Sequence, residues 1–221
     1  MAQALRAVVF DFDGTLADSY AAITASVNEV RSRRGMAPLT PEQVRPHVGR
    51  GLHHLLRNTS PGGKLAVDCQ VYLQHHPSVL MSGTHLLPGA AATLKPLHEI
   101  GLKLAICSNK PRDFTLALVS GLGISGYISV VLGPDDVPNP KPAPDMLLAA
   151  LQRLGVRPEE ALYIGDMTVD IATARAAGVR VWVVPTGSDS RDTLAAAKPD
   201  MLLDSLASIK SFATPWGSLR I

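Results

Sequence analysis

The stretch Ala7-Val8-Val9-Phe10-Asp11-Phe12-Asp13-Gly14-Thr15 decides the fold. Its first four residues are a short apolar run, which is typical of a strand buried on both faces. Two carboxylates follow directly, and the glycine after them lets the backbone turn closely around a ligand. Similar apolar runs recur at residues 103–107, 128–132, 161–164 and 180–184. The chain is therefore expected to contain at least five short buried strands.

Helical patterns separate these strands. Leu147, Ala150, Leu151 and Leu154 lie at i, i+3, i+4 and i+7, and Gly155 ends that helix. Residues 168–177 form another helical pattern that ends before a glycine. Strands that alternate with helices of about ten residues predict βαβ units. We therefore predict an α/β fold with a doubly wound, Rossmann-like parallel sheet.

A long helical segment interrupts this alternation after the first strand. Its apolar positions and caps are Ile23, Val27 and Val30, the capping box Thr40-Pro41-Glu42-Gln43, and the stripe Leu65, Cys69, Tyr72 and Leu73. We predict a helical cap domain at residues 17–85. The α/β catalytic core would then comprise residues 1–16 and 86–221.

Composition excludes several classes of protein. Of 221 residues 46% are hydrophobic and 18% are charged, as in an ordinary globular protein, and the net charge of +2 gives no support for nucleic-acid binding. No apolar run approaches the roughly 18 residues of a membrane span. Cys69 and Cys107 form no disulfide framework, and Cys107 is expected to be a buried thiol. These features predict a cytoplasmic protein that does not bind membranes.

Polar side chains follow the predicted strands where the strands end. Because the carboxyl ends of parallel strands meet at one edge of a sheet, we expect these side chains to lie close together. Carboxylates that are this close repel one another unless a cation lies between them, and their hard oxygen atoms suit Mg²⁺. The set is Asp11, Asp13, Ser108, Asn109, Lys141, Asp166 and Asp170.

This combination of groups favours phosphoryl transfer. Ser108, Asn109 and Lys141 can donate hydrogen bonds to a phosphate. Asp11 can act as a nucleophile that forms an aspartyl phosphate. Asp13 is near enough to protonate the leaving alkoxide and then to activate water.

The order of these motifs resembles the haloacid dehalogenase-like hydrolase superfamily. Asp11-Phe12-Asp13-Gly14-Thr15, Ser108-Asn109, Lys141, and Gly165-Asp166 with Asp170 are similar to its four motifs. The resemblance implies a nucleophile at Asp11, an acid/base at Asp13 and a catalytic Lys141. It implies Mg²⁺ held by Asp11, the Asp13 carbonyl and Asp166. Asp170 would support the metal site or Lys141 without binding the ion directly. The resemblance also implies that Gly14, Thr15, Ser108 and Asn109 bind substrate, and that the helical insertion is a mobile cap.

Further segments resemble the phosphoglycolate phosphatases of that superfamily. They are residues 106–111, 135–137, 141–145 and 172–178, and the sequence Val48-Gly49-Arg50-Gly51 is similar to the cap loop of that subgroup. A guanidinium can bind a carboxylate through two parallel donors, so Arg50 is a candidate for binding the substrate. A surface position without a role in binding fits the sequence equally well. Met167 and Thr168 stand where small or polar residues such as Ser are usual in the family.

We therefore predict a Mg²⁺-dependent phosphatase of a small phosphorylated metabolite, with 2-phosphoglycolate as the leading substrate. The alternatives are a phosphosugar mutase or pyrophosphatase on the same scaffold, and a catalytically silent binding module. A monomer and a homodimer are both compatible with the sequence.

Overall fold

The computed structural model describes residues 5–212 of the chain, so residues 1–4 and 213–221 of the predicted core lie outside the described residues. Its strands are β1 (Ala7–Phe10), β2 (Ala17–Asp18), β3 (His85–Leu86), β4 (Lys103–Cys107), β5 (Ile128–Leu132), β6 (Ala161–Gly165), β7 (Arg180–Val183) and β8 (Met201–Leu202). Its α-helices are α1 (Tyr20–Arg33), α2 (Pro41–Val44), α3 (Leu52–Thr59), α4 (Leu65–Val79), α5 (Ala90–Glu99), α6 (Arg112–Gly121), α7 (Asp145–Leu154), α8 (Thr168–Ala176) and α9 (Arg191–Ala196).

Strand β1 lies inside a six-stranded sheet of order β5-β4-β1-β6-β7-β8, in which all neighbours are parallel. Phe10 pairs with Ile106 on one side and Ile164 on the other. The last residues of three strands are thereby level with one another. This register brings the chain segments that follow β1, β4 and β6 to one edge of the sheet.

Helices cover both faces of the sheet, because successive strand side chains point to opposite faces. Val8 and Phe10 pack with residues of α5 and α6, whereas Ala7 and Val9 pack with residues of α7, α8 and α9. The doubly wound α/β prediction is confirmed. The five predicted strands are present in this sheet, whereas its sixth strand β8 and the two short strands β2 and β3 outside it were not predicted.

Helices α1 to α4 form a separate layer with its own apolar cluster, which includes Tyr20, Ile23, Val27, Leu56 and Tyr72. The antiparallel ribbon of β2 and β3 joins this layer to the rest of the chain, and Ala17 pairs with Leu86 there. The boundaries predicted for the cap fall within this ribbon.

The predicted apolar stripe of α4 was wrong at one position. Leu73 is 40% exposed, whereas Cys69, Tyr72 and His76 are buried. The buried face therefore continues one turn further, to a histidine, because α4 packs against α1 along that face. Within residues 5–212, no helix combines the length and the hydropathy that crossing a bilayer requires.

Candidate active site

Asp11 is the first residue after the central strand β1, and its N–H donates to the carbonyl of Ile164 (2.8 Å). Lys141 lies beside it, with Nζ 3.1 Å from Asp11 Oδ1 and 2.7 Å from Asp170 Oδ1. The same Nζ donates to the hydroxyl of Tyr163 at 3.0 Å. The Lys141 and Asp170 side chains are fully buried. A single ammonium group is therefore shared by two carboxylates out of contact with water.

Burial and neighbouring charges shift the pKa values of the groups at this edge. Burial lowers the pKa of Lys141, but Asp11 and Asp170 outweigh this effect and hold it above its usual value. Burial raises the pKa of Asp11 to about 6, although the Lys141 ammonium opposes the increase. Burial, together with the charges of Asp170 and Asp11, raises the pKa of Asp166 well above its usual value. One ammonium does not offset all of this negative charge.

Three carboxylates fit a divalent cation at this point. Asp11, Asp166 and Asp170 each offer an oxygen atom, and these atoms lie within 4.8 Å of one another. Asp11 Oδ1 is buried and forms the ion pair with Lys141, but it accepts no aligned hydrogen bond. A hard cation with oxygen ligands, such as Mg²⁺, would satisfy that atom and the excess charge.

Asp170 is already saturated by protein contacts. Its Oδ1 faces Lys141 and the Tyr163 hydroxyl (3.1 Å), and its Oδ2 accepts from the backbone N–H groups of Asp166 (3.1 Å) and Met167 (3.0 Å). It lies in the first turn of α8, four residues after Asp166, so one side chain shapes the loop and faces Lys141. Asp170 therefore holds the Asp166 loop and Lys141 in place, and its role in supporting a metal site stays a prediction.

Asp166 is held by residues from two other loops. Its Oδ1 accepts from the Thr15 hydroxyl at 2.7 Å and its Oδ2 from the Ser188 N–H at 3.2 Å. Gly14 has φ +87°, and a Cβ atom there would lie 2.6 Å from Asp166 Oδ2. Gly14 and Thr15, predicted to bind substrate, thus lie against Asp166 in this structure.

The carboxylate of Asp13 lies apart from the other three. Its oxygen atoms accept from the Ser19 hydroxyl and from Lys110 Nζ (3.3 and 3.2 Å). The Lys110 side chain is only 4% exposed, so this pair is nearly as protected as that of Lys141. The burial of Lys110 and its pairing with Asp13 were not predicted, because nothing in the sequence Ser108-Asn109-Lys110 indicates that the lysine is buried.

Asn109 connects two loops rather than presenting a free amide. Its Nδ2 donates to the carbonyls of Lys141 (3.0 Å) and Gly49 (3.1 Å), and its Oδ1 accepts from the Lys141 N–H (3.1 Å). Ser108 is buried beside it, and its Oγ accepts from the Lys110 N–H at 3.4 Å. Asn109 therefore positions Lys141 and also ties the helical layer to the sheet.

A narrow cleft of about 40 Å³ separates this edge from the helical layer. Asp11, Asp13, Ser108, Asn109 and Lys110 line it on one side. The other side is mainly apolar and comes from residues before and within α3, and from α1 and α4. Its lining side chains include Ile23, Val48, Leu52, Leu55, Tyr72 and His76.

Arg50 is not brought together with the other predicted site residues. It is exposed and lines a neighbouring groove of about 460 Å³ with His53, Asp135 and Pro140. Gly49 and Gly51, which flank it, both have positive φ values, and Gly49 faces Met167 so closely that a Cβ atom would overlap the Met167 sulfur. The turn thus presses Gly49 onto the sheet edge while Arg50 lies outside the cleft.

Arg45 also joins the two layers. Its guanidinium lies 3.8 Å from the centre of the Tyr20 ring and donates to the carbonyls of Thr186 (3.4 Å) and Gly187 (3.3 Å). The Tyr20 hydroxyl lies 3.2 Å from Ser188 Oγ. The loop that positions Asp166 is therefore also the loop that the helical layer contacts.

Comparisons with known proteins agree with this geometry. The family model described as haloacid dehalogenase-like hydrolase matches residues 8–184. Phosphoglycolate phosphatase of Rhodospirillum rubrum is 35% identical over 215 residues, which cover 92% of this chain and 89% of that protein. Phosphoglycolate phosphatase 1 of Pseudomonas aeruginosa is 32% identical over 214 residues, with 91% of this chain and 77% of that protein covered.

Solved structures support the same relationship. A Bacteroides fragilis protein assigned to the haloacid dehalogenase-like hydrolases superposes with a TM-score of 0.87 at 31% identity, covering 93% of this chain and 99% of the other. CbbY from Rhodobacter sphaeroides, solved in complex with phosphate, gives a TM-score of 0.80 at 25% identity, with 93% and 96% covered. The chain therefore belongs to the haloacid dehalogenase-like hydrolase family, as a phosphoric monoester hydrolase that is similar to the phosphoglycolate phosphatases.

Proposed function

We propose that this hydrolase removes phosphate from a small phosphorylated metabolite, with 2-phosphoglycolate as the leading substrate. In this proposal the phosphoryl group is carried transiently on Asp11 and the enzyme depends on Mg²⁺. The observation that carries the proposal is the position of Asp11 in the cleft, 3.1 Å from the buried ammonium of Lys141. The similarity to phosphoglycolate phosphatases over nine-tenths of the chain supports the choice of substrate.

In the first step a carboxylate oxygen of Asp11 attacks phosphorus, and the bond from phosphorus to the ester oxygen breaks. Lys141 lies beside Asp11, so its charge can offset the negative charge that gathers on the transferring group. The Ser108 hydroxyl borders the same cleft and can donate to a phosphoryl oxygen. Burial keeps these charges from being screened by water.

Asp13 handles the protons in both steps. It protonates the leaving alkoxide in the first step. Its carboxylate then takes a proton from the water that attacks the aspartyl phosphate, which releases inorganic phosphate and restores Asp11. The Lys110 ammonium and the Ser19 hydroxyl hold the Asp13 side chain in place for this work.

Asp11 and Asp166 would hold Mg²⁺ through their carboxylates, and the Asp13 carbonyl would complete the protein ligands. The bound ion would supply electrostatic stabilisation to the phosphate and to the attacking carboxylate. Asp170 would keep the Asp166 loop in shape through its two backbone contacts.

The helical layer, residues 17–85, is proposed to act as a cap that opens for substrate and closes over it. The ribbon of β2 and β3 is the covalent connection about which it would move. Contacts of Arg45, Tyr20 and Gly49 with the sheet side would form only when the cap is closed.

The test is phosphate release with Mg²⁺ from 2-phosphoglycolate, ethyl phosphate, an aryl phosphate, a sugar phosphate and pyrophosphate. We expect the highest kcat/KM for 2-phosphoglycolate. Isomer formation in excess of phosphate release would identify a mutase, highest activity on pyrophosphate would identify a pyrophosphatase, and no release from any substrate would identify a silent module. With a substrate labelled in its phosphoryl group, acid quenching should trap the labelled aspartyl phosphate on the wild-type protein and no label on Asp11→Asn.

The role of Asp13 has a separate test. Asp13→Asn should lose more activity with an alkyl phosphate than with an aryl phosphate, because a phenolate leaving group needs less protonation. Equal losses on both substrates would contradict protonation of the leaving group by Asp13. Asp192→Asn is the matched control, since Asp192 is exposed in α9 and does not line the cleft.

A further inference from the structure

One nitrogen in the wall of the cleft has no hydrogen-bond partner. Among the described residues, the buried side-chain atoms without such a partner are Asp11 Oδ1, Thr24 Oγ1, Ser60 Oγ, His76 Nε2 and Thr84 Oγ1. Of the residues that carry them, Asp11 and His76 line the cleft. The proposed chemistry accounts for Asp11, whereas it gives His76 no task. A buried polar atom without a partner lowers stability, so its presence calls for an explanation.

The imidazole of His76 cannot turn to find another partner. Its Nδ1 lies 2.9 Å from Ser26 Oγ. The ring stacks on Tyr72 at a centroid distance of 4.9 Å and an interplanar angle of 24°, and it meets Phe114 nearly edge-on at 4.9 Å and 64°. His76 is completely buried. Its neighbours on three sides thus fix Nε2 as the ring nitrogen left for a group that enters the cleft.

The surroundings of His76 favour a hydrogen bond to an anion. The ring is neutral, since burial, together with the Lys110 ammonium, lowers the pKa of His76 to about 3. Ser26 can donate to Nδ1, and in that tautomer Nε2 carries the proton. The rest of the cap side of the cleft is apolar except for Tyr72, and Lys110 supplies positive charge on the facing side.

We propose that His76 determines specificity by donating a hydrogen bond from Nε2 to a carboxylate at the end of the substrate remote from the phosphate. This inference rests on the proposed function and names the group that reads the substrate. The cleft that Asp11 and His76 both line is only about 40 Å³ in volume, which favours a short substrate over a bulky one. Arg50, the carboxylate clamp suggested by the sequence, lines the outer groove instead.

The experiment compares 2-phosphoglycolate with ethyl phosphate, which has the same two carbon atoms and no carboxylate. The readout is the ratio of the two kcat/KM values. His76→Phe keeps an aromatic ring against Tyr72 and Phe114 but removes Nε2. We expect the ratio to fall roughly 10- to 100-fold, mainly through a higher KM for 2-phosphoglycolate, as for a lost hydrogen bond to a charged group. In His76→Gln the amide nitrogen can replace Nε2, so this variant should recover part of the lost preference for 2-phosphoglycolate.

His98→Phe is the matched control. His98 is exposed on α5 and does not line the cleft. Its ratio should stay within about twofold of the wild-type value. Melting temperatures of all variants show whether the fold is intact. If His76→Phe does not fold, His76→Leu removes Nε2 with a smaller apolar side chain and provides the same ratio.

Two results would overturn the inference: one contradicts the role of His76 alone, and the other contradicts the proposed substrate. If the wild-type enzyme prefers 2-phosphoglycolate and a folded His76→Phe or His76→Leu keeps that ratio within twofold, His76 does not read the carboxylate. A parallel loss on both substrates gives that same unchanged ratio. If the wild-type enzyme shows no preference for 2-phosphoglycolate over ethyl phosphate, the proposed substrate fails first, and the ligand assigned to His76 fails with it.

Discussion

Lys141→Met removes a single positive charge from the most protected part of the active site and nearly preserves the volume of the side chain. In the wild-type protein the ammonium lies 3.1 Å from Asp11 Oδ1 and 2.7 Å from Asp170 Oδ1, and it is fully buried. The variant would retain both carboxylates without their counter-charge. The Tyr163 hydroxyl would still contact Asp170, at 3.1 Å.

The expected loss of stability is large. Removing one partner of a buried ion pair costs about 3–5 kcal/mol, because the remaining charge stays desolvated. For a protein of this size that corresponds to a decrease in melting temperature of roughly 6–20 °C. Turnover should fall by at least about 10²- to 10³-fold, the usual effect of removing one group that stabilises a transition-state charge.

The assay is guanidinium unfolding followed by circular dichroism, at pH 7.5 and pH 5 with a chelator. The Lys141 charge lowers the pKa of Asp11, so without it that carboxyl group should take up a proton more readily. The loss of stability should therefore be smaller at pH 5 than at pH 7.5. Lys95→Met is the control, because Lys95 is 61% exposed and pairs with Glu99 at 3.8 Å, and we expect a change within about 0.5 kcal/mol.

A Lys141→Met protein as stable as the wild type at pH 7.5 would refute this reasoning. It would mean that the carboxylates are already protonated or hydrated in the folded protein, so that the ammonium does not balance them. A loss equal at both pH values would instead indicate lost packing of the side chain rather than lost charge.

Three other outcomes are expected. Asp11→Asn should retain less than a few per cent of turnover with every phosphomonoester, since an amide does not attack phosphorus; substantial residual hydrolysis would mean that water attacks directly. With a chelator present, Asp11 should contribute a decrease of roughly 3 kcal/mol to the free energy of unfolding of the wild type as the pH rises from about 4 to 6, because its pKa is raised from 3.8 to about 6 in the folded protein, which therefore binds the extra proton in this range. The raised pKa of Asp166 should act in the same direction. Mg²⁺ should reduce that decrease, and a flat pH profile in chelator would contradict it. Gly14→Ala should lower stability by more than about 1 kcal/mol and impair turnover, because φ there is +87° and the new Cβ would lie 2.6 Å from Asp166 Oδ2; Gly35→Ala, which has φ +64° and open space around it, separates backbone strain from the contact with Asp166.

The sequence was sufficient for the fold and for the carboxylates of the site. A buried run such as Ala7–Phe10 identifies a central strand from local composition alone, and the topology then brings Asp11 and Asp166 to one edge. These predictions rest on periodicity and on chain order. Periodicity and chain order can both be read without knowing which contacts the side chains form.

The sequence was not sufficient for contacts that depend on how the layers pack. Lys110 and Arg50 are both cationic, yet one is buried against Asp13 and the other is exposed beside a groove. His76 belongs to the buried face of α4 because this helix packs on α1, whereas the apolar pattern predicts Leu73 on that face. In the sequence Tyr163 is an ordinary strand residue, and only the structure shows that its hydroxyl accepts a hydrogen bond from Lys141.

The position of β1 in the sheet has a consequence for how the protein is made. β1 leaves the ribosome before any other described strand, but its two neighbours begin at Lys103 and Ala161. The helical layer emerges between β1 and the first of these neighbours, with an apolar cluster that needs little from the sheet. A nascent chain that stops short of Ala161 leaves one edge of β1 unpaired, and such long-range pairing is slow to form. Asp11 is therefore synthesised more than 150 residues before Asp166 and Asp170, the carboxylates that complete its surroundings.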